Sequence, residues 1–458
     1  LTSFLGDKFY RTGSDEQARI AQLVAQEPLF AAKAAVFARN EFGMRSVSHV
    51  VAGEVTQHVK GEQWVKHFID AVIRRPDDMS EIIAYRASRY GLHPIPNALK
   101  KGLRRAFGKF DRYQLSKYRG DGKAVSLVDL VNLVKPVPTE RNADALRDIA
   151  AGKLRSEDTW EARLSSGADK GDTWAGLLAE NQLGYMALLR NLRNIANDAN
   201  EETFTAALAQ LADPGRVVRS LVLPFRFYTA YREISSSDVP PHRKGPILGA
   251  LSAAADHSVS NMPDFSGVTL IALDTSGSMT GGKISDRSGT TAAQIGALFA
   301  AALTRRLSGR SFILTFDTQA TTPAVNPADS VLTVTDQIVR GMRGGGTNMD
   351  LPFTHDTPVD RVIVLSDMQA WTNGQWGQHV LWGQPHRPAQ SALDAYRQRT
   401  GANPHVYSFD LTGYGSLQFP ASRCYQIAGW SEKVFDLMAL LEQDRNAMVN
   451  KVDKVSFV

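Results

Sequence analysis

At 458 residues, with 43% apolar and 22% charged side chains, the chain has the composition of a soluble globular protein, too long for a single core and too apolar for wholesale disorder. No run approaches the ~18 consecutive apolar residues of a membrane span, and the first residues, LTSFLGDKFY, lack the basic-then-apolar pattern of a signal peptide. The chain starts at Leu1 rather than methionine, as expected where residues precede it, and its lone Cys424 excludes an internal disulfide framework and points to a reducing compartment, the cytoplasm by expectation.

The net charge of +5 is unevenly spread. Residues 1–255 carry 36 Lys and Arg against 29 Asp and Glu, and the remainder carries 16 against 18. One window, 99–123, holds Lys100, Lys101, Arg104, Arg105, Lys109, Arg112, Lys117, Arg119 and Lys123, opposed only by Asp111 and Asp121. Such a concentration suits either an anionic partner or a solvated helix face.

From Ser14 to about Ser260 the pattern predicts helix after helix, starting with a capping box at Ser14-Asp15-Glu16-Gln17 and a second helix opened by Pro28. Further helices are expected over Trp64–Ile73, Ser80–Tyr90, Pro96–Phe107, Leu127–Val134, Asn142–Ala150, Tyr185–Ala196, Glu202–Leu211, Phe225–Ile234 and Ile247–Ser258. Leu99, Leu103 and Phe107 recur at i, i+4 and i+8, an apolar stripe beside the basic pairs Lys100/Arg104 and Lys101/Arg105. Short helices with tight turns suggest a degenerate helical-pair array of the HEAT kind.

After Asn261-Met262-Pro263-Asp264 the pattern changes. Val268–Leu273 reads as a strand buried on both faces. A helix over Thr291–Leu307, a strand over Ser311–Phe316, a helix over Thr335–Met342 and a strand over Arg361–Ser366 follow. Pro388–Arg399 and Glu432–Glu442 read as helices, His405–Asp410 and Cys424–Ile427 as extended. Such alternation predicts a doubly wound, mostly parallel sheet, with any ligand at the carboxyl ends of its strands.

At that edge stands Asp274-Thr275-Ser276-Gly277-Ser278, a D-x-S-x-S string whose alternate oxygens can converge on one hard cation. It matches the metal-ion-dependent adhesion site of von Willebrand A-type domains. Gly344-Gly345-Gly346-Thr347 and Asp367, directly after a strand, supply the two later elements that this motif needs. By that resemblance Ser276, Ser278 and Thr347 would coordinate directly and Asp274 and Asp367 through water. The ion would be Mg²⁺, or else Mn²⁺ or Ca²⁺, with one position open to an acidic side chain. The string holds no histidine or glutamate to act as a base and no Walker-type phosphate loop, so a binding device is expected rather than an enzyme. His355, His379 and His386 read as solvated surface histidines.

Helical array and metal domain together resemble the Ro autoantigen family, whose helical part is the TROVE module shared by telomerase-associated, Ro and vault proteins. The resemblance rests on Phe4-Leu5-Gly6, Phe9-Tyr10, the string Tyr185–Leu192, Pro246–Leu251 and Leu273–Met279, in that order. It implies an all-α HEAT-like ring over 1–262, monomeric, closed by an α/β von Willebrand A-type domain over 263–458. Such rings bind small non-coding Y RNAs on the outer surface and single-stranded ends of misfolded RNA in the central hole. A bacterial relative would associate with a 3′-to-5′ exoribonuclease. Ser116–Pro136 looks like the Y RNA-binding stretch, with Lys117 at a basic position, Lys135 where members often carry histidine, and a shorter loop near Gly120–Lys123. Tyr113 and Tyr118 could stack on bases or be core, and Arg190 and Arg193 are candidates for the inner surface. The competing reading is a metal-dependent protein-interaction scaffold in which RNA is incidental.

Overall fold

The computed structural model describes residues 13–91, 93–118, 120, 124–155, 164, 169–281, 283–285, 288–326, 328–368, 389–411, 419, 422–428, 434–444 and 446–457. Two compact units emerge, one of Leu1–Ser166 with Asp444–Val458 and one of Gly167–Gln443.

The first unit is helical. Its elements are Gly13–Gln26, Pro28–Glu41, Ser46–His58, Trp64–Val72, Pro76–Tyr90, Asn97–Phe107, Arg112–Lys117, Leu127–Val134, Ala143–Ala150 and, from the end of the chain, Ala447–Asp453. Helix Asn97–Phe107 buries Leu99, Leu103 and Phe107 completely, as the periodicity predicts. It approaches Trp64–Val72 so closely that a Cβ on Gly102 would lie 2.5 Å from the Ile69 Cβ and 2.9 Å from the Lys66 carbonyl oxygen. Only glycine leaves room for that crossing. Asp111 and Ser126 cap the helices that follow them, each side chain accepting from the amide three residues on while its own backbone N–H donates to the side chain of Gln114 or Asp129. The C-terminal segment is stitched to the beginning: Lys33 Nζ donates to the Asp453 carbonyl, and Phe457 stacks on Trp64 with centroids 5.9 Å apart.

Helix starts and lengths differ from the periodic reading where capping outweighs apolar spacing. Helix Pro76–Tyr90 begins four residues before Ser80 because Pro76 and the buried, cap-making Asp78 form its first turn. The expected helix Tyr185–Ala196 is two, Tyr185–Arg190 and Leu192–Asp198. They part at Asn191, whose side-chain amide back-bonds to the Ala187 carbonyl at 2.8 Å. Ser46–His58 and Lys170–Ala179, unmarked by a strong apolar stripe, are also helices.

The second unit opens with helices from Lys170–Ala179 to Pro241–Ser258 and continues into a six-stranded sheet. Its strands are β1 (Thr269–Asp274), β2 (Ser311–Phe316), β3 (Ala320–Thr321), β4 (Arg361–Ser366), β5 (His405–Asp410) and β6 (Cys424–Ala428), in the order β3-β2-β1-β4-β5-β6. All pairings are parallel except β2 with β3. β1 and β4 are buried along their whole length, which explains the apolar runs Leu270–Leu273 and Val362–Leu365. The change from helices to alternating strands falls near 262, as read from the sequence, whereas the compact units divide elsewhere. Asp256, on helix Pro241–Ser258, accepts the Val331 amide at 2.8 Å, and Arg306 of the helix behind β1 donates to the Met262 carbonyl at 2.7 Å. Such bonds tie the end of the array to helices Ala292–Leu307 and Val331–Arg340, which alternate with the strands.

Candidate metal site and basic surface

The sheet reverses direction between β1 and β4: from β1 the chain crosses to β2 on one side, and β4 leads to β5 on the other. A crevice outside the carboxyl ends of strands is favoured at such a point. Asp274 ends β1, Asp367 follows β4, and the three motif elements meet here. The Thr275 amide donates to the Phe316 carbonyl at 2.8 Å, seating the D-x-S-x-S turn on the end of β2. Gly277 N–H donates to the Gly345 carbonyl at 3.0 Å, and Asn348 N–H to that of Asp317 at 2.9 Å, which fixes the glycine loop on either side of Thr347. Gly344 has φ +75°, a conformation few other residues would tolerate.

Asp274, Ser276, Thr347 and Asp367 are buried, and Ser278 is half-buried. Ser276 and Ser278 place their hydroxyl oxygens 3.2 Å apart. Asp274 accepts the Ser276 amide at 2.8 Å and the Ser366 hydroxyl at 2.6 Å. Burial pushes its carboxyl up to about 7, and the neighbouring Asp367 charge adds to the rise while hydrogen bonds from Ser366 and Ser276 oppose it. The Thr347 hydroxyl is buried with no hydrogen-bond partner among the described residues. Two buried carboxylates, one of them held by neutral donors, with the Thr347 hydroxyl beside them, form an oxygen-only donor set that a hard divalent cation would satisfy. The residues present therefore fit such an ion. Among the described residues no cluster of three or more His, Cys, Asp or Glu offers a different kind of metal site.

The basic window divides by what each cation touches. Lys109 binds Asp70 at 2.7 Å and donates to the Ile73 carbonyl at 3.2 Å, and Arg105 reaches Asp70 at 3.6 Å. Arg112 pairs with Asp144 at 3.0 Å and Asp148 at 2.8 Å. Arg104 donates to the Val134 carbonyl at 2.8 Å, closing the C-terminus of helix Leu127–Val134, and meets no carboxylate among the described residues. Lys100 and Lys101 have no side-chain partner among the described residues, and Lys101 is exposed. Lys117 lies 5.7 Å over the Tyr113 ring, which is exposed, whereas Tyr118 is covered by the Arg75 guanidinium at 4.5 Å. Arg119 and Lys123 lie outside the described residues.

Lys135 follows Val134 in a left-handed conformation, φ +47°, which ends the helix and leaves its side chain exposed. It rims a groove floored by Val131, Pro136, Pro138 and Leu146, with Arg147 on the same rim. In the second unit Arg190 is exposed, and Arg193 is exposed with Glu233 at 3.9 Å.

The TROVE domain family model matches residues 16–151 and 147–247, half of the chain. The chain belongs to the TROVE domain family. The family is known for RNA binding. The first TROVE range carries Lys100 to Lys135 and the second Arg190 and Arg193, while the metal-site residues lie beyond both. The fold is that of the Deinococcus radiodurans RO (RSR) protein crystal structure, with TM-score 0.66 and 19% identity over 95% of this chain and 93% of that one. The telomerase protein component 1 of rat is 20% identical over 293 residues and that of mouse 23% over 296. Each match takes in 46% of this chain and spans only 11% of the relative.

Ser366 and Asp317 were not singled out by sequence. Ser366 resembled any strand-end serine, yet it is buried and bonded to Asp274. His355 is not the solvated histidine expected from its loop: its ring packs 5.6 Å from Phe312 and 5.1 Å from Tyr396, and burial lowers its pKa. His379 and His386 lie outside the described residues. Also among the described residues, no helix is long and apolar enough to cross a membrane.

Proposed function

We propose that this TROVE chain binds small non-coding RNA of the Y class through the face carrying Lys100, Lys101, Arg104 and Lys135, and serves RNA quality control or processing as a ribonucleoprotein. The observation that carries this reading is a selective lack of carboxylate partners among the described residues: Lys100, Lys101 and Arg104 meet none there, while their neighbours in sequence are paired. Uncompensated cations on a helix face repel one another and are relieved by phosphates laid across them. Lys117 beside Tyr113 extends the face with a stacking surface. Arg190 and Arg193 would contact single-stranded RNA ends, and a 3′-to-5′ exoribonuclease is the protein partner that this role calls for.

The Asp274, Ser276, Ser278, Thr347 and Asp367 set would hold Mg²⁺, which when bound supplies a Lewis-acidic position for an oxygen donor of a partner. The chain's own residues bind and orient; no catalytic role is assigned to them. Purifying the full-length protein from its native cells and sequencing the RNA that accompanies it tests the RNA reading. Enrichment of one or a few small structured RNAs is expected. Recovery of no enriched RNA would overturn it. A protein partner lost on chelation would instead favour the interaction-scaffold reading, to which the half-buried position of Ser278, the least enclosed donor, lends support.

A further inference from the structure

We propose that Ser366 is a positioning residue that sets the two carboxylates of the metal site against each other. The inference rests on the metal-binding reading of that site. Ser366 ends β4, one residue before Asp367, and is fully buried. Its hydroxyl donates to Asp274 Oδ2 at 2.6 Å and accepts the Met368 amide at 2.9 Å. One oxygen atom therefore ties the end of β1 to the turn that presents Asp367, bridging the residues on either side of that aspartate.

Each bond constrains a different carboxylate. With Oδ1 of Asp274 held by the Ser276 amide and Oδ2 by Ser366, rotation of that carboxylate is blocked and only its remaining lone pairs can face a cation or its water. On the other side, Met368 has φ +57°, a conformation that L residues rarely adopt. The Ser366 hydroxyl holds the Met368 amide in that turn, and the Met368 side chain is itself buried with the Ser408 hydroxyl 3.3 Å from its sulfur. The direction of Asp367 is thus imposed by its neighbours. Two like charges that would otherwise swing apart are kept converged before any ion arrives. Outer partners of this kind orient metal ligands, and their loss costs about 10–100-fold in affinity.

The test is Mn²⁺ titration of the full chain, following free Mn²⁺ by electron paramagnetic resonance, alongside thermal melting of the metal-free protein. Wild type should bind one ion and Thr347→Ala should lose it. If wild type binds none, the metal reading itself falls and takes this assignment with it. Given binding by wild type, Ser366→Ala should weaken it by tenfold or more, and a loss below threefold overturns the assignment even if the metal-free melting temperature drops. Should Ser366→Ala fail to fold, Ser366→Cys keeps the approximate volume with a poorer donor and is judged by the same threshold.

Discussion

Lys109 sits with its ammonium 2.7 Å from a carboxylate oxygen of Asp70, at the C-terminal end of helix Trp64–Val72, and donates to the Ile73 carbonyl as well. A cation at that end of a helix meets the partial negative charge of its last carbonyls. Lys109 therefore serves the fold. Lys109→Ala should cost about 1 kcal/mol, after allowance for its partial exposure, and leave RNA affinity within twofold. Urea denaturation and filter binding on the same preparation check both halves.

The proposed RNA face should respond oppositely. Neutralising Lys100, Lys101, Arg104 and Arg105 together should weaken RNA binding and flatten its log–log dependence on salt. Each phosphate contact contributes about 0.7–0.9 to the slope. Because Arg105 leans toward Asp70, the loss expected is about 2–3 in slope rather than the full value for four contacts. Unchanged affinity and slope would make the face a merely solvated one.

For the metal site, Mg²⁺ at a hundredfold excess over its Kd should stabilise the chain by about 2.7 kcal/mol, read as a rise in melting temperature that chelation removes. Asp274→Asn should abolish that rise. It should not lower, and by removing one of two adjacent buried charges should if anything raise, the melting temperature of the metal-free chain. A metal-dependent rise in Asp274→Asn would remove this carboxylate from the site.

Acid should act on the first unit through Asp78. Burial would raise its pKa, but hydrogen bonds from His49, the Arg74 amide and Arg39 outweigh burial and hold the carboxyl well below its usual range. A folded pKa below the unfolded one means that the stability is complete above about pH 4 and drains away as the pH falls further. Denaturant midpoints followed from pH 6 down to pH 2 should fall steeply in wild type. Asp78→Asn should be less stable at neutral pH and respond less to acid.

How far the sequence went can be judged residue by residue. Leu99, Leu103 and Phe107 announced their buried stripe because helix periodicity is local, and β1 and β4 were legible because strands buried on both faces must be apolar throughout. Asp274 and Asp367 could be placed at one sheet edge because parallel strands bring their carboxyl ends together. The split at Asn191 was invisible because a side chain competing for a helix carbonyl leaves no mark on apolar spacing.

The sequence by itself determined the helical array, the doubly wound sheet and the placing of Asp274 and Asp367 at one sheet edge, all properties of pattern and spacing. Only the tertiary structure decided which cations of the basic window remain uncompensated, since Asp70, Asp144 and Asp148 lie far away in the chain and a charge is neutralised by distance in space. It likewise turned an ordinary strand-end serine into the link between Asp274 and the turn that presents Asp367, because β1 and β4, 92 residues apart at these positions, are neighbours in the sheet.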